Sequence, residues 1–337
     1  MSVAQFMAAC LYDPEGGYYA RAPRIGADGD FITAPEISQM FGELIGLWCA
    51  HEWDALARPS QTRWIELGPG RGALTADALR AVRASPQFAE ALDVHFIELS
   101  DELRRAQASA LTQIRPAWHD RLEDAPEGPA FIIANEFFDC LPVRQFVRAE
   151  NGWRERLVGL RDGELSFGLS ASPLPDVSLL PIAAQEAEIG AIAELAPALP
   201  AWIAAIAARL KAHPGRALII DYGGDGMGDT LQALSRHRKV SPLENPGECD
   251  LTAHVDFTAL ANAALDAGLG VSGPIAQGAW LAALGVEARA AALARANPAR
   301  AERIAREHRR LTHPDEMGAL FQVLCLSSPT LPTPAGF

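Results

Sequence analysis

Apolar residues recur at helical spacing over 3–12 and again over 36–57, and the stretch between them is punctuated by Gly and Pro. From Arg63 the pattern changes to short apolar runs separated by helical segments. The runs are Trp64-Ile65-Glu66-Leu67, Val94-His95-Phe96-Ile97-Glu98 and Ala130-Phe131-Ile132-Ile133-Ala134, with a further short strand predicted near Ile114; helices are predicted over 73–83 and 101–110. Strands alternating with helices build an α/β fold around a parallel, doubly wound sheet. The alternation breaks at 153–169, where two alternating segments flank Asp162-Gly163, a hairpin signal. Residues 183–211 are Ala- and Leu-rich and read as helix, divided by Pro197 and Pro200. Ala217-Leu218-Ile219-Ile220-Asp221 resumes the buried-strand pattern. A helix over 257–267 with Asp256 as N-cap, an Arg-studded helical region over 286–310 and a last strand over 320–326 follow. The expected domains are an N-terminal cap at 1–58, a core at 59–147 and 213–337, and an insertion at 148–212 made of a β-hairpin plus helices.

Composition narrows the chemistry. A net charge of −13 over 337 residues disfavours nucleic acid as a partner, since such binders gather Lys and Arg on one face. Five widely spaced cysteines without a C-x-x-C pair, and eight histidines without H-E-x-x-H, indicate neither a disulfide framework nor a metal site. No apolar run approaches the ~20 residues of a membrane helix. With no presequence pattern at the N-terminus, the expectation is a soluble cytoplasmic protein.

The candidate chemistry begins at Glu66-Leu67-Gly68-Pro69-Gly70-Arg71-Gly72. A loop leaving a parallel strand and entering a helix offers backbone N–H groups and the positive end of a helix dipole, and glycines let a ligand approach that backbone. The string fits the E/D-x-G-x-G-x-G form that holds S-adenosylmethionine, with Glu66, Gly68, Gly70 and Gly72 as cofactor residues. Gly68, Gly70 and Ala73 also satisfy the looser dinucleotide fingerprint, which leaves NAD and a nicotinamide-dependent oxidoreductase open. Glu98, 26 residues after Gly72, stands where an acid accepts two hydrogen bonds from a ribose diol. Asp120, after His119, is a candidate for the adenine amino group. Asn135-Glu136-Phe137-Phe138-Asp139 follows the fourth strand at the substrate edge of such a sheet. Methyl transfer is an in-line displacement, so the protein mainly aligns a nucleophile and strips its solvent. An arginine acceptor further needs a carboxylate to hold its fork and localise its charge; Glu136 is the candidate, with Asp139 as helper and Asn135 beside the cofactor.

Taken together, Gly16-Gly17-Tyr18-Tyr19, the run from Gly29 to Ser38, the glycine loop, Asn135 to Asp139, Asp221-Tyr222-Gly223 and Asp250 to Phe257 make the chain resemble the MidA-like methyltransferase family, whose mitochondrial members assist assembly of respiratory complex I. The resemblance implies a class I methyltransferase, Rossmann-like doubly wound sheet with a helical N-terminal cap. It also implies S-adenosylmethionine as cofactor, protein arginine as substrate class and a complex I subunit as a partner. Family cofactor positions fall on Gly68, Gly70, Gly72 and Glu98, with Thr33 and Pro35 of the cap as additional contacts. Ala73 stands where a Thr is frequent, which removes one hydroxyl contact. His254, in Asp250-Leu251-Thr252-Ala253-His254, is a further candidate to take a proton. The Gly26–Asp30 segment is expected to act as a lid. A non-catalytic assembly factor retaining the fold is the remaining alternative.

Overall fold

The computed structural model describes residues 1–19, 32–112, 114–235 and 238–337. The lid expected at Gly26–Asp30 lies outside the described residues. In chain order the strands are β1 (Thr62–Leu67), β2 (Leu92–Ile97), β3 (Ala117–His119), β4 (Ala130–Asn135), β5 (Arg144–Ala149), β6 (Gly152–Arg161), β7 (Glu164–Leu169) and β8 (Ile192–Leu195). They continue with β9 (Gly215–Gly224), β10 (Gln232–Ser235), β11 (Arg238–Val240), β12 (Asp250–Thr252), β13 (Val255–Asp256), β14 (Gly270–Ala276) and β15 (Phe321–Ser327).

The chain divides into two compact units. The larger comprises Ile32–Phe137, Ile203–Asp221 and Ala264–Phe337. Its sheet runs in the order β14-β15-β9-β4-β1-β2-β3. β1, β2, β3, β4 and β9 pair in parallel, with Glu66 opposite Phe96 on one side and Ile133 on the other. All six residues of β4 are buried, as expected of a central strand covered by helices on both faces. Phe131 of this strand meets Trp48 and Phe88 edge-on, and Trp64 and Trp280 are fully buried in the same unit. Buried Arg216 in β9 pairs with Glu52 at 2.7 Å and donates to Ser327 Oγ at 2.6 Å and the Pro332 carbonyl at 2.9 Å. These contacts offset much of the cost of burying the charge, and Nε alone lacks a hydrogen-bond partner among the described residues.

The smaller unit comprises the described residues of Met1–Phe31 together with Phe138–Trp202 and Tyr222–Ala263. It holds the antiparallel sheet β7-β6-β5-β8 and the three-stranded sheet β11-β10-β12. The Val3–Tyr12 helix, capped by Ser2 and Gln5, buries Val3, Phe6, Met7 and Leu11 against Val143, Val158, Ala233 and Leu251. The predicted hairpin is β6-β7, and Asp162 and Gly163 turn it with φ +54 and +87.

Several elements fall elsewhere than their patterns indicate. The third strand is Ala117–His119, not near Ile114, because Pro116 lacks the N–H that pairing needs and the strand starts after it. The Ala-rich stretch from 183 is not continuous helix: Ile192–Leu195 pairs with Arg144–Val147 as a strand, and the Leu199–Ala212 helix follows. Sheet pairing here overrides propensity. Extended Ser38 splits the predicted 36–57 helix into Ala34–Ile37 and Gln39–Glu52, and a short turn at Pro298–Arg300 splits 286–310 into Val286–Ala296 and Ala301–Thr312. The units also cut the chain differently from the expected cap and insertion. The first helix groups with residues 138–202, whereas Ala34–Glu52 groups with the large sheet, because each helix buries its apolar face in a different core.

Candidate functional site

Strand order reverses between β1 and β4, and open α/β sheets bind their ligands outside the C-terminal strand ends at such a switch point. The glycine loop follows β1 and opens the Ala73–Ala81 helix. Gly68, Gly70 and Gly72 all have left-handed backbone, at φ +60, +53 and +83. At Gly68 a Cβ would stand 2.9 Å from the Phe137 ring, so conformation and space both require glycine. Gly72 is the residue immediately before the helix, and the loop's N–H groups lie at the positive end of its dipole.

Glu66 is buried, and its carboxylate accepts from Thr75 Oγ1, which in turn accepts from Trp64 Nε1 at 2.7 Å. With a hydroxyl but no cation beside it, burial pushes the Glu66 carboxyl up to about 8. What the structure shows for Glu66 is a bond that ties β1 to the first turn of the helix.

Glu98 directly follows β2 and is almost fully buried. One carboxylate oxygen accepts from the Ser100 amide at 2.8 Å, the other from Gln107 Nε2 at 3.1 Å. Burial raises its pKa, and these hydrogen bonds oppose the rise. Arg104 Nε donates to the Glu98 carbonyl at 2.9 Å, and its Nη2 bonds Asp120 at 2.6 Å. Asp120 is exposed and salt-bridged, a placement that leaves one oxygen on the solvent side.

The segment after β4 is conformationally unusual. Glu136 has φ +50, uncommon for a residue with a side chain, and such backbone costs about 1–3 kcal/mol and clusters at functional sites. Its amide donates to the Ile220 carbonyl at 2.9 Å. Glu136 Oε1 accepts from Asn135 Nδ2 and from the Ala34 amide, both at 3.0 Å. Ala34 starts the short helix for which Thr33 is the N-cap and Pro35 the second residue, so Thr33 and Pro35 are brought next to Glu136. Asn135 is 8% exposed, and its Oδ1 has no hydrogen-bond partner among the described residues. A buried orphan acceptor at a sheet edge costs about 1–3 kcal/mol unless a ligand supplies the donor. The Phe137 amide donates to Asp221 Oδ2 at 3.2 Å, so the end of β9 also fixes this turn.

The other two candidates belong to the smaller unit. Asp139 is buried, accepts from Cys140 Sγ at 3.2 Å and from the Tyr222 side chain, and its carboxyl is pushed up to about 6 by burial. His254 is held by its amide, which donates to Thr230 Oγ1 at 2.8 Å, and its ring meets Tyr222 edge-on at 5.4 Å. Burial lowers its pKa, which favours the neutral imidazole that a proton acceptor requires. Tyr19 bonds Cys140 Sγ at 3.0 Å and Asp250 at 3.2 Å, which makes the second tyrosine of the Gly-Gly-Tyr-Tyr string part of this buried cluster.

The larger unit thus gathers Thr33, Pro35, Glu66, Gly68, Gly70, Gly72, Glu98, Asp120, Asn135 and Glu136 in one unit, and Asp139 and His254 lie in the other. Sequence reading overlooked Gln107 and Ser100. Gln107 carries a legible signal: in the charged helix Asp101–Ala110 only Leu103 and Gln107, four residues apart, are buried, so a polar residue occupies the apolar stripe. Among the described residues no group of three or more His, Cys, Asp or Glu is placed to hold a metal ion, and no helix is long and apolar enough to cross a membrane.

A mixed sheet of this order, parallel from β9 to β3 and with β14 antiparallel to β15 at one edge where sequence alone suggests a parallel sheet, together with a left-handed glycine loop at its switch point and a buried carboxylate after the next strand, defines a class I methyltransferase-like fold. Residues 44–275 match the model of a family described as S-adenosyl-L-methionine-dependent methyltransferase. The chain is 37% identical to the zebrafish (Danio rerio) protein arginine methyltransferase NDUFAF7, mitochondrial, over 96% of this chain and 82% of that protein. It is 34% identical to the human (Homo sapiens) counterpart over 97% and 80%. A Burkholderia thailandensis protein crystallised with S-adenosyl-homocysteine superposes with a TM-score of 0.86 at 26% identity, covering 100% of this chain and 90% of that one. The chain belongs to this methyltransferase family and uses S-adenosylmethionine. The nicotinamide and non-catalytic alternatives give way to that assignment. The expectation of a cytoplasmic protein is corrected by the same comparison, since these curated relatives are mitochondrial proteins.

Proposed function

We propose that the protein methylates arginine side chains of a protein partner, with a respiratory complex I subunit as that partner. The observation that carries the reading is Glu136: a strained, left-handed residue after β4 whose carboxylate is fixed by the Asn135 amide and the Ala34 N–H. The relatives named as protein arginine methyltransferases support the substrate class, and the resemblance to the MidA-like family, whose mitochondrial members assist complex I assembly, supports the partner.

In this reading the Gly68–Gly72 backbone and Asn135 Oδ1 hold the amino-acid end of S-adenosylmethionine. The orphan Oδ1 fits an ammonium donor, and the left-handed glycines open the backbone to a carboxylate, so the residues suit the group. Glu98 accepts from the ribose hydroxyls, Asp120 receives the adenine amino group, and Thr33 and Pro35 flank the site. When bound, the cofactor supplies an electrophilic methyl on its sulfonium. Glu136 holds one arm of the arginine guanidinium, draws positive charge towards itself and leaves a lone pair on the nitrogen that attacks. The proton released as the nitrogen gains its methyl passes to solvent.

The test is Glu136→Gln. The amide keeps size and hydrogen bonding but loses the charge, so S-adenosylhomocysteine affinity should stay within about twofold. Methylarginine formation on the acceptor protein, read by mass spectrometry, should fall by about 100-fold or more. Equal turnover by both proteins removes Glu136 from the mechanism.

A further inference from the structure

Gln107 occupies a place that neither the glycine loop nor the strand-end acid explains. It is fully buried on the helix Asp101–Ala110, and its amide is saturated by three different elements. Trp118 Nε1 in β3 donates to its Oε1 at 2.7 Å, and because an indole N–H can only donate, this bond fixes which end of the amide is oxygen. The Nε2 hydrogens are thereby turned the other way. One goes to the Gly70 carbonyl at 2.7 Å and the other to Glu98 Oε2 at 3.1 Å. A Cβ at Gly72 would touch Gln107 Cα and Cγ at 3.5 Å, so the helix lies directly against the loop. One side chain therefore cross-braces the left-handed loop after β1 to the carboxylate after β2.

We propose that Gln107 is a positioning residue that sets ribose recognition: it holds Glu98 Oε2 by one lone pair and aims the carboxylate's remaining lone pairs at the ribose diol. The inference rests on the assignment of Glu98 to the ribose. Ser100 fixes the opposite oxygen through its amide, so Gln107 removes the last rotation available to the carboxylate. Trp118 acts one step further out by orienting the amide.

A readout that a packing role would not move is the ratio of dissociation constants for 2′-deoxy-S-adenosylhomocysteine and S-adenosylhomocysteine, measured by calorimetry on the full chain. In the wild type the missing hydroxyl should weaken binding about 10-fold or more. In Gln107→Leu that ratio should fall to about 3 or less, because a carboxylate free to turn no longer discriminates. Gln107→Glu, which keeps the acceptor for Trp118 and hence the fold, should collapse the ratio in the same way by repelling Glu98. A ratio unchanged in both variants, with both ligands weakened equally, overturns the proposal and leaves Gln107 as packing. Glu98→Ala separates the two readings: a collapsed ratio there with an intact one in the Gln107 variants sinks the Gln107 role alone. An intact ratio in Glu98→Ala sinks the ribose assignment and the proposal with it.

Discussion

At Gly68 two constraints coincide that are usually met separately. Its φ of +60 strains any residue with a side chain, and the place a Cβ would occupy is 2.9 Å from the Phe137 ring. Gly163 in the hairpin turn has comparable backbone at φ +87, yet nothing lies within 4 Å of its Cβ position. Gly68→Ala should therefore lower stability by about 1 kcal/mol for the backbone alone, with a further cost for moving the ring, and weaken S-adenosylhomocysteine about 10-fold or more. Gly163→Ala should cost only the backbone part and leave ligand affinity as it was. Thermal melts and calorimetry of the two variants check this, and equal ligand loss in both would contradict it. The glycine loop is legible because left-handed backbone and close approach select one residue type. Glu136 is legible as a polar residue after a buried strand, but its positive φ and its bond to Ala34, 102 residues away in sequence, are tertiary facts with no local trace.

At the scale of elements, β1 is joined to the helix that follows the loop by the chain Trp64, Thr75, Glu66. The joint has a pH signature. A carboxyl raised to about 8 in the folded protein keeps its proton where the unfolded chain, near the ordinary glutamate value of 4.5, has lost it. The stabilisation is complete below pH 4.5 and is lost as pH rises towards and through about 8. Asp139, raised to about 6, acts in the same direction but is spent at lower pH. Glu66→Gln, whose amide oxygen still accepts from Thr75, should accordingly gain in melting temperature over the wild type as pH goes from 6 to 8.5. A constant difference across that range would show that Glu66 does not titrate there. Strands β1, β2 and β4 are legible because continuous apolar runs ending in polar residues leave few other placements. Ile192–Leu195 is not, since Ala and Leu favour helix and only the exposed edge of β5 recruits that segment into a strand.

For the whole molecule, the methyltransferase assignment joins a sheet order, a loop conformation and a buried acid that no single string establishes. The sequence motifs run from residue 16 to 257 in order but are shared between two units: Asn135, Glu136 and Phe137 end in the larger, and Phe138 and Asp139 begin the smaller. The unit boundary passes through a motif, so the compact units group segments differently from the cap, core and insertion read from hydrophobic pattern. Cores are assembled from distant segments, and pattern reports only the segments. The central claim is that the loop Gly68–Gly72 and Glu98 together hold S-adenosylmethionine. Calorimetric titration of the intact protein with S-adenosylmethionine, with NAD as the comparison and Glu98→Ala as the control, tests it most directly. The account predicts binding of S-adenosylmethionine, none of NAD, and a loss of about 10- to 100-fold in Glu98→Ala, the worth of a charge-assisted pair of hydrogen bonds. Unchanged affinity in Glu98→Ala, or NAD bound in its place, would contradict it.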